Sequence, residues 1–248
     1  MIENIKAPDS GIDVTIVIPC KNEAPRISST LDEVIASVKE VGCSYEVLVM
    51  DDGSTDDTSE MVMNYLKNHP DCNICLHKNP KNFGLSRSYV DGAFLGTGKY
   101  YRLVCGDNVE PKETMAQILR LIGKADIVIP YYESLPGKPP LRQLISKFYT
   151  MLVNTVSGYS INYYNGCGLH LREHVLRWHS YSFGFGFQAD FTTRLLLEGA
   201  SYIQVPVVAS HTVKEKSGSP LNLRNFISTG HTLAEILRRR INHWLFEH

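Results

Sequence analysis

Residues 46–58 read EVLVMDDGSTDDT, an apolar run broken by a polar turn. Glu46 to Met50 has the composition of a buried strand, Asp51-Asp52-Gly53-Ser54 is a turn sequence, and Met61, Val62, Tyr65 and Leu66 follow at helical spacing. The same unit stands upstream. Val14 to Ile18 (VTIVI) is a continuous β-branched run, as expected of a strand covered on both faces. The polar string Pro19 to Glu23 follows it, then a helix marked by Leu31, Val34, Ile35 and Val38 and closed by Gly42. Downstream, Ile74 and Leu76 mark a third strand, 84–94 a helix, and Tyr100 to Cys105 a fourth strand. A helix through Met115, Ile118, Leu119 and Leu121 then leads to a strand at 126–130. This alternation predicts an α/β fold: a Rossmann-like, largely parallel sheet flanked by helices, with right-handed crossovers. Ligands on such sheets bind beyond the carboxyl ends of the strands. Three polar clusters, 19–23, 51–54 and 106–108, are therefore expected to converge on one edge.

The second half has another texture. Residues 131–140 read as a loop and 141–156 as an apolar helix, while turn and aromatic residues dominate 157–168 and 180–188. A helix over 189–198 leads to a strand over 203–208, and the tail from 221 is helical in composition. With 248 residues and no linker or repeat, the expectation is one domain with a C-terminal extension. The formal net charge of -1 gives no reason to expect nucleic acid. Six cysteines, mostly inside apolar runs, suit buried thiols in a reducing compartment, and the pair Cys72 and Cys75 lacks further ligands at zinc spacing. No stretch has the apolar length to span a bilayer and the N-terminus lacks a signal-peptide core, so the expected location is cytoplasmic.

Glu23 and the Asp51-Asp52 pair each have an ordinary reading, as a helix pre-cap and as a turn. The third cluster adds to them. Gly106-Asp107-Asn108 places a carboxylate beside a glycine at a strand end, a setting that can hold Mg2+ or Mn2+, which favour oxygen ligands and share them with substrate phosphates. A nucleoside diphosphate leaving group needs such a divalent cation to neutralise the charge that develops as its bond breaks.

IPCKNE (18–23), VLVMDDGSTDDT (47–58) and KNFGLSRSYVDGAFLGTGKYYRLVCGDNVEP (81–111) together resemble the family-2 inverting glycosyltransferases, which have the GT-A fold, and are most similar to the polyprenyl-phosphate (dolichol-phosphate) sugar synthases. The resemblance covers about residues 13–213 and implies a division into a nucleotide-sugar-binding half (13–130), an acceptor-side half (131–219) and a C-terminal amphipathic helix (220–248). It implies a UDP- or GDP-sugar donor and a polyprenyl phosphate or other glycan precursor as acceptor. Pro19, Glu23 and Asp52 would hold the nucleobase and ribose, with Asp51 and Gly106 completing the donor side, and Asp107 would bind the cation. His211 and Lys214, in a basic glycine-containing loop, would contact the diphosphate. Asp190, in FQAD (187–190), would face the acceptor as general base, or only orient it if the acceptor is an already ionised phosphate; the alternative is a helix N-terminal acid favoured by the helix dipole. Asn165 stands in NGCG (165–168), where the family often has an acidic residue.

One departure matters: the family's Asp-x-Asp at the end of strand four has Cys105 in its first position here, leaving Asp107 alone. This predicts weak metal affinity without donor, and keeps open a degenerate protein that binds donor without catalysis. A nucleotidyltransferase would want a glycine- and arginine-rich loop after strand one, and a dinucleotide oxidoreductase GxGxxG there; IPCKNE offers neither. In the tail, Leu233, Ile236, Leu237, Ile241, Trp244 and Leu245 are expected on one stripe beside Arg238 to Arg240. That stripe could dock on the core, on a second subunit of a homo-oligomer, or on an anionic membrane surface.

Overall fold

The structure, a computed structural model, describes residues 11–132, 139–177, 186–208 and 223–246. The first half runs β1 (Val14–Cys20), α1 (Ile27–Val41), β2 (Tyr45–Asp51), α2 (Thr58–Asn68), β3 (Ile74–Lys78), α3 (Leu85–Leu95), β4 (Tyr100–Leu103), α4 (Lys112–Leu119) and β5 (Ile127–Tyr132). The second half adds α5 (Pro140–Ser157), β6 (Leu169–Leu171), α6 (Arg172–Leu176), α7 (Phe187–Leu197), β7 (Tyr202–Val207) and α8 (Leu223–Phe246).

The strands form one seven-stranded sheet in the order β3-β2-β1-β4-β6-β5-β7. β1 pairs in parallel with β2 and β4, β2 with β3, and β5 with β7. β6 is the exception: it runs antiparallel between β4 and β5, with Tyr101 opposite His170 and Ile127 opposite His170 on the other side. Its three residues, Leu-His-Leu, are too short a run to mark a strand, so its partners on both sides make it one. β5 also reaches Tyr132, two residues into the stretch expected as loop.

All seven residues of β1 are buried, which is why its sequence is a continuous apolar run. Successive side chains point to opposite faces, so Ile16 and Ile18 pack with Leu31, Val34, Val38, Met115 and Ile118 of α1 and α4, while Val17 packs on the other face with Tyr89, Tyr101, Val153 and Phe191. Each such fully buried aliphatic side chain contributes about 1.5–3 kcal/mol. Two packed layers thus clamp the sheet and leave its carboxyl edge to loops.

The tail divides differently from the single stripe expected. Thr232 and Ile236 are buried and Leu233 is half-buried against the domain, whereas Leu237, Ile241, Trp244 and Leu245 are exposed. The helix is held by its polar side as much as its apolar one: Arg240 donates to the carbonyls of Thr155 (3.1 Å) and Val156 (3.0 Å) at the end of α5. Packing against both α5 and α7 turns part of the stripe outward. No described helix is long and apolar enough to cross a membrane.

Candidate functional site

The three polar clusters do meet. Backbone pairing continues past the strands, with Asp52 N donating to Cys20 O (2.9 Å), Asn79 N to Asp51 O (2.8 Å) and Val104 N to Val17 O (2.9 Å). The chain ends of β1, β2 and β4 are thereby held side by side. Between them lies an open cleft of about 330 Å3 lined by Pro19, Cys20, Lys21, Glu23, Asp52, Asn82, Gly84, Leu85, Cys105, Gly106 and Asp107. Five of the expected donor-side residues, Pro19, Glu23, Asp52, Gly106 and Asp107, share this cleft.

The later residues of DDGSTDDT explain how the edge is built. Ser54 Oγ accepts from Asn22 N (3.0 Å), Thr58 Oγ1 from Glu23 N (2.8 Å) and Asp56 Oδ2 from Ala24 N (3.3 Å), while Asn22 Oδ1 accepts from Thr55 N (2.9 Å). These bonds staple the loop after β1 to the loop after β2. Gly53 has φ 72°, and a Cβ there would meet Lys81 C at 2.7 Å, so the turn needs glycine on both counts.

The two adjacent aspartates do different things. Asp51 is fully buried and accepts from Ser54 N (2.8 Å) and from Ser59 Oγ, so both its oxygens serve the turn. Asp52 lines the cleft while accepting from Asn79 Nδ2 (3.0 Å), Phe83 N (2.8 Å) and Gly84 N (2.8 Å). It therefore draws the loop before α3 over the cleft floor, bringing Asn82 and Gly84 into the wall. Glu23 accepts from Arg26 Nε (2.8 Å) and Nη2 (2.5 Å), both at Oε2.

Asp107 is the unusual member. Its Oδ1 is buried without a hydrogen-bond partner. Burial first, and then the Glu23 charge, raise its carboxyl above the ordinary aspartate range. An anionic oxygen that is desolvated, unpaired and repelled by a neighbouring carboxylate is a group that a cation would satisfy. The donor set fits a hard divalent ion only in part: among the described residues no three His, Cys, Asp or Glu side chains gather to hold a metal. Phosphate oxygens and water would have to complete the shell, as Mg2+ and Mn2+ allow. Cys105 contributes no charge. Its thiol is held well above the usual range, chiefly by its hydrogen bond to and charge interaction with Cys167, then by burial.

Sequence reading passed over Lys21, Asn82 and Leu85. Lys21 stands inside the quoted string IPCKNE and lines the cleft just before the loop turns at Asn22, which has a positive φ of 56°. Asn82 enters the wall only through the distant hydrogen bonds of Asp52.

Asp190 is placed elsewhere. It is buried on α7, does not line the cleft, and both its carboxylate and its backbone carbonyl accept from Arg239 Nη2 of α8. Asn165 Oδ1, on the loop before β6, is buried without a partner. His211 and Lys214 lie outside the described residues.

The sequence profile described as glycosyl transferase family 2 matches residues 15–178. A dolichyl-phosphate beta-glucosyltransferase of Dictyostelium discoideum is 35% identical over 112 residues, 43% of this chain and 34% of that protein. Another, from Trichomonas vaginalis, is 30% identical over 196 residues, 68% of this chain and 57% of that protein. The chain thus spans between about a third and just over half of the length of these two relatives. A mannosyltransferase from Pyrobaculum calidifontis, solved with GDP-Man and Mn2+, superposes with a TM-score of 0.63 at 22% identity, covering 95% of this chain and 66% of that one. The fold is that of the GT-A glycosyltransferases, and the chain belongs to glycosyl transferase family 2.

Proposed function

Taking that membership as premise, we propose that the chain transfers a sugar, with inversion, from a UDP- or GDP-sugar bound in the cleft to a polyprenyl phosphate. The observation that carries this reading is the charge of the cleft. Glu23, Asp52 and Asp107 line it against a single lysine, Lys21. A diphosphate entering such a site is repelled unless a divalent cation comes with it, and Asp107 offers an unpartnered oxygen to receive one. Bound there, Mg2+ or Mn2+ would supply Lewis-acid neutralisation of the leaving diphosphate.

The remaining roles belong to the chain itself. Pro19 and Glu23 form the wall for base and ribose. Asp52 shapes that wall by holding Phe83 and Gly84, Asp51 fixes the turn beneath it, and Gly106 lets the β4 loop approach Cys20. Lys21 can reach a phosphate from the cleft mouth, and His211 and Lys214 are proposed to add to it. A polyprenyl phosphate is ionised at neutral pH, so the attacking oxygen needs no strong base. Asp190, closed by Arg239, then serves to position α8 and the acceptor side rather than to take a proton.

A lipid-linked acceptor calls for access to a membrane surface, and the outward faces of α5 and α8 support it. Leu141, Leu144, Phe148 and Met151 of α5 are exposed at helical spacing, as are Leu237, Ile241, Trp244 and Leu245 of α8. α5 carries Arg142 and Lys147 and no acidic residue, and α8 adds the exposed Arg238, paired with Glu235, while Arg239 and Arg240 turn to Asp190 and to the end of α5. Apolar stripes flanked by basic residues suit peripheral binding to an anionic leaflet.

The experiment is a thermal-shift screen of UDP- and GDP-sugars with and without Mn2+, followed by transfer of the stabilising sugar to a short polyprenyl phosphate. Cation-dependent stabilisation by one donor and transfer to the lipid are expected. Stabilisation without transfer or donor hydrolysis would favour a donor-binding protein that lost catalysis with the carboxylate replaced by Cys105.

A further inference from the structure

We infer that the buried ion pair between Arg102 and Glu110 is a positioning device for Asp107, fixing the loop after β4 in the geometry that receives the cation. This rests on the cation reading of Asp107 given above.

Arg102 sits on β4 at the centre of the sheet and is fully buried; Glu110, just before α4, is 9% exposed. Arg102 Nη2 donates to Glu110 Oε1, joining the two ends of the segment that carries Cys105, Gly106, Asp107 and Asn108. Other contacts pin the same segment. Thr30 Oγ1 donates to Gly106 O (3.1 Å), and Lys112 N donates to Glu33 Oε2 (2.7 Å) where α4 begins. A Cβ on Gly106 would meet Cys20 Cβ at 2.9 Å, so the loop is pressed against the end of β1. Asn108 adopts φ 57°, the left-handed turn that reverses the chain after Asp107. The loop is therefore fastened on both sides of Asp107 while Asp107 Oδ1 is left without a partner.

Stability does not account for the pair. Arg102 Nε and Nη1 are both buried without acceptors, so the guanidinium is only partly satisfied. Taking two charges out of water costs more than a single contact returns, and an apolar pair of similar volume is often neutral or better. That face of the sheet is suited to such a replacement, since Val104, Leu169 and Val128 on it are all buried and apolar. What an apolar pair would not supply is a directional link of fixed length across the loop. Nor would it supply a cation to offset Glu110, whose carboxyl burial raises and whose negative charge faces Asp107.

The test compares wild type with the double variant Arg102→Met/Glu110→Leu and with Arg102→Lys. Each is titrated with Mn2+ in the presence of UDP or GDP, and each has its thermal midpoint measured without ligand. The double variant should keep its midpoint within a few degrees of wild type while binding Mn2+ about 10- to 100-fold more weakly, the range seen when groups supporting a metal ligand are removed. Arg102→Lys, which keeps the charge and loses the planar fork, should fall between the two. Wild-type Mn2+ affinity in a folded double variant overturns the inference, as does wild-type affinity in Arg102→Lys should the double variant not fold. If wild type itself binds no Mn2+ with either nucleotide, the donor reading fails first and takes this inference with it.

Discussion

Asp107 and Asp190 are both shielded carboxylates in the same domain, yet their surroundings are opposite. Beyond β4, Asp107 has one buried oxygen unpartnered, and burial and then the Glu23 charge raise its carboxyl. On the acceptor side, Asp190 is met by the Arg239 guanidinium. On the reading proposed above, the difference separates a carboxylate held for an incoming cation from one already paired within the protein. Asp107 keeps an oxygen unpaired, whereas Asp190 uses its charge to bind the tail helix.

The largest effect that could break this contrast is at Arg239. Arg239→Met leaves Asp190 buried without its partner and should cost about 3–5 kcal/mol in denaturant unfolding. Adding Asp190→Leu to that variant should recover most of the loss. If instead Asp190→Asn unfolds like wild type but stops sugar transfer, Asp190 belongs with the reacting groups and the contrast is wrong.

On the donor side Asp52→Ala removes the acceptor of three hydrogen bonds. Nucleotide affinity, read by calorimetry, should fall by about 1–3 kcal/mol with its Mn2+ dependence intact. A loss confined to the Mn2+-dependent part would move Asp52 from wall to cation.

The acceptor side should also carry an acid sensitivity. His170 is fully enclosed on β6, and burial lowers its pKa to about 3. A histidine depressed in the fold contributes stability that is present above its unfolded value of about 6.5 and is lost as pH falls toward the folded value. Between pH 6 and 4 unfolding free energy should therefore drop by about 1.4 kcal/mol per unit from this group alone. His170→Phe, filling the same space beside Phe191, should flatten that slope; an unchanged slope would assign it to other groups.

The smallest effect concerns the outward faces of α5 and α8. Trp244→Ser with Ile241→Ser should abolish sedimentation with anionic vesicles at low salt, and Arg238→Gln should weaken it by about 1 kcal/mol. If wild type does not sediment and instead runs as a dimer that these changes split, the face is a subunit contact.

How much of this could be read in the sequence follows from how local each feature is. β1, β2 and the turn between Asp51 and Ser54 were legible because a buried parallel strand is a continuous apolar run and a turn has its own residue chemistry. The convergence of Glu23, Asp52 and Asp107 followed from the rule about strand ends. β6 was not legible, because three residues become a strand only by lying between β4 and β5. Nor could the split of the tail stripe be read: Leu237 and Ile236 are neighbours in sequence, and only the packing of α8 on α5 and α7 decides which turns inward. Arg239 and Asp190 are 49 residues apart, and nothing near either one announces the pair. The Arg102–Glu110 bond was hidden for the opposite reason, since an arginine in an apolar strand reads as an interruption until its partner is seen.

The most direct test of the central claim is calorimetric titration of UDP and GDP, with and without Mn2+, into wild type and Asp107→Ala at neutral pH. The account predicts that one nucleotide binds wild type much more tightly when Mn2+ is present, and that Asp107→Ala erases that gain while its circular dichroism matches wild type. A folded Asp107→Ala that keeps the full Mn2+-dependent gain would contradict it.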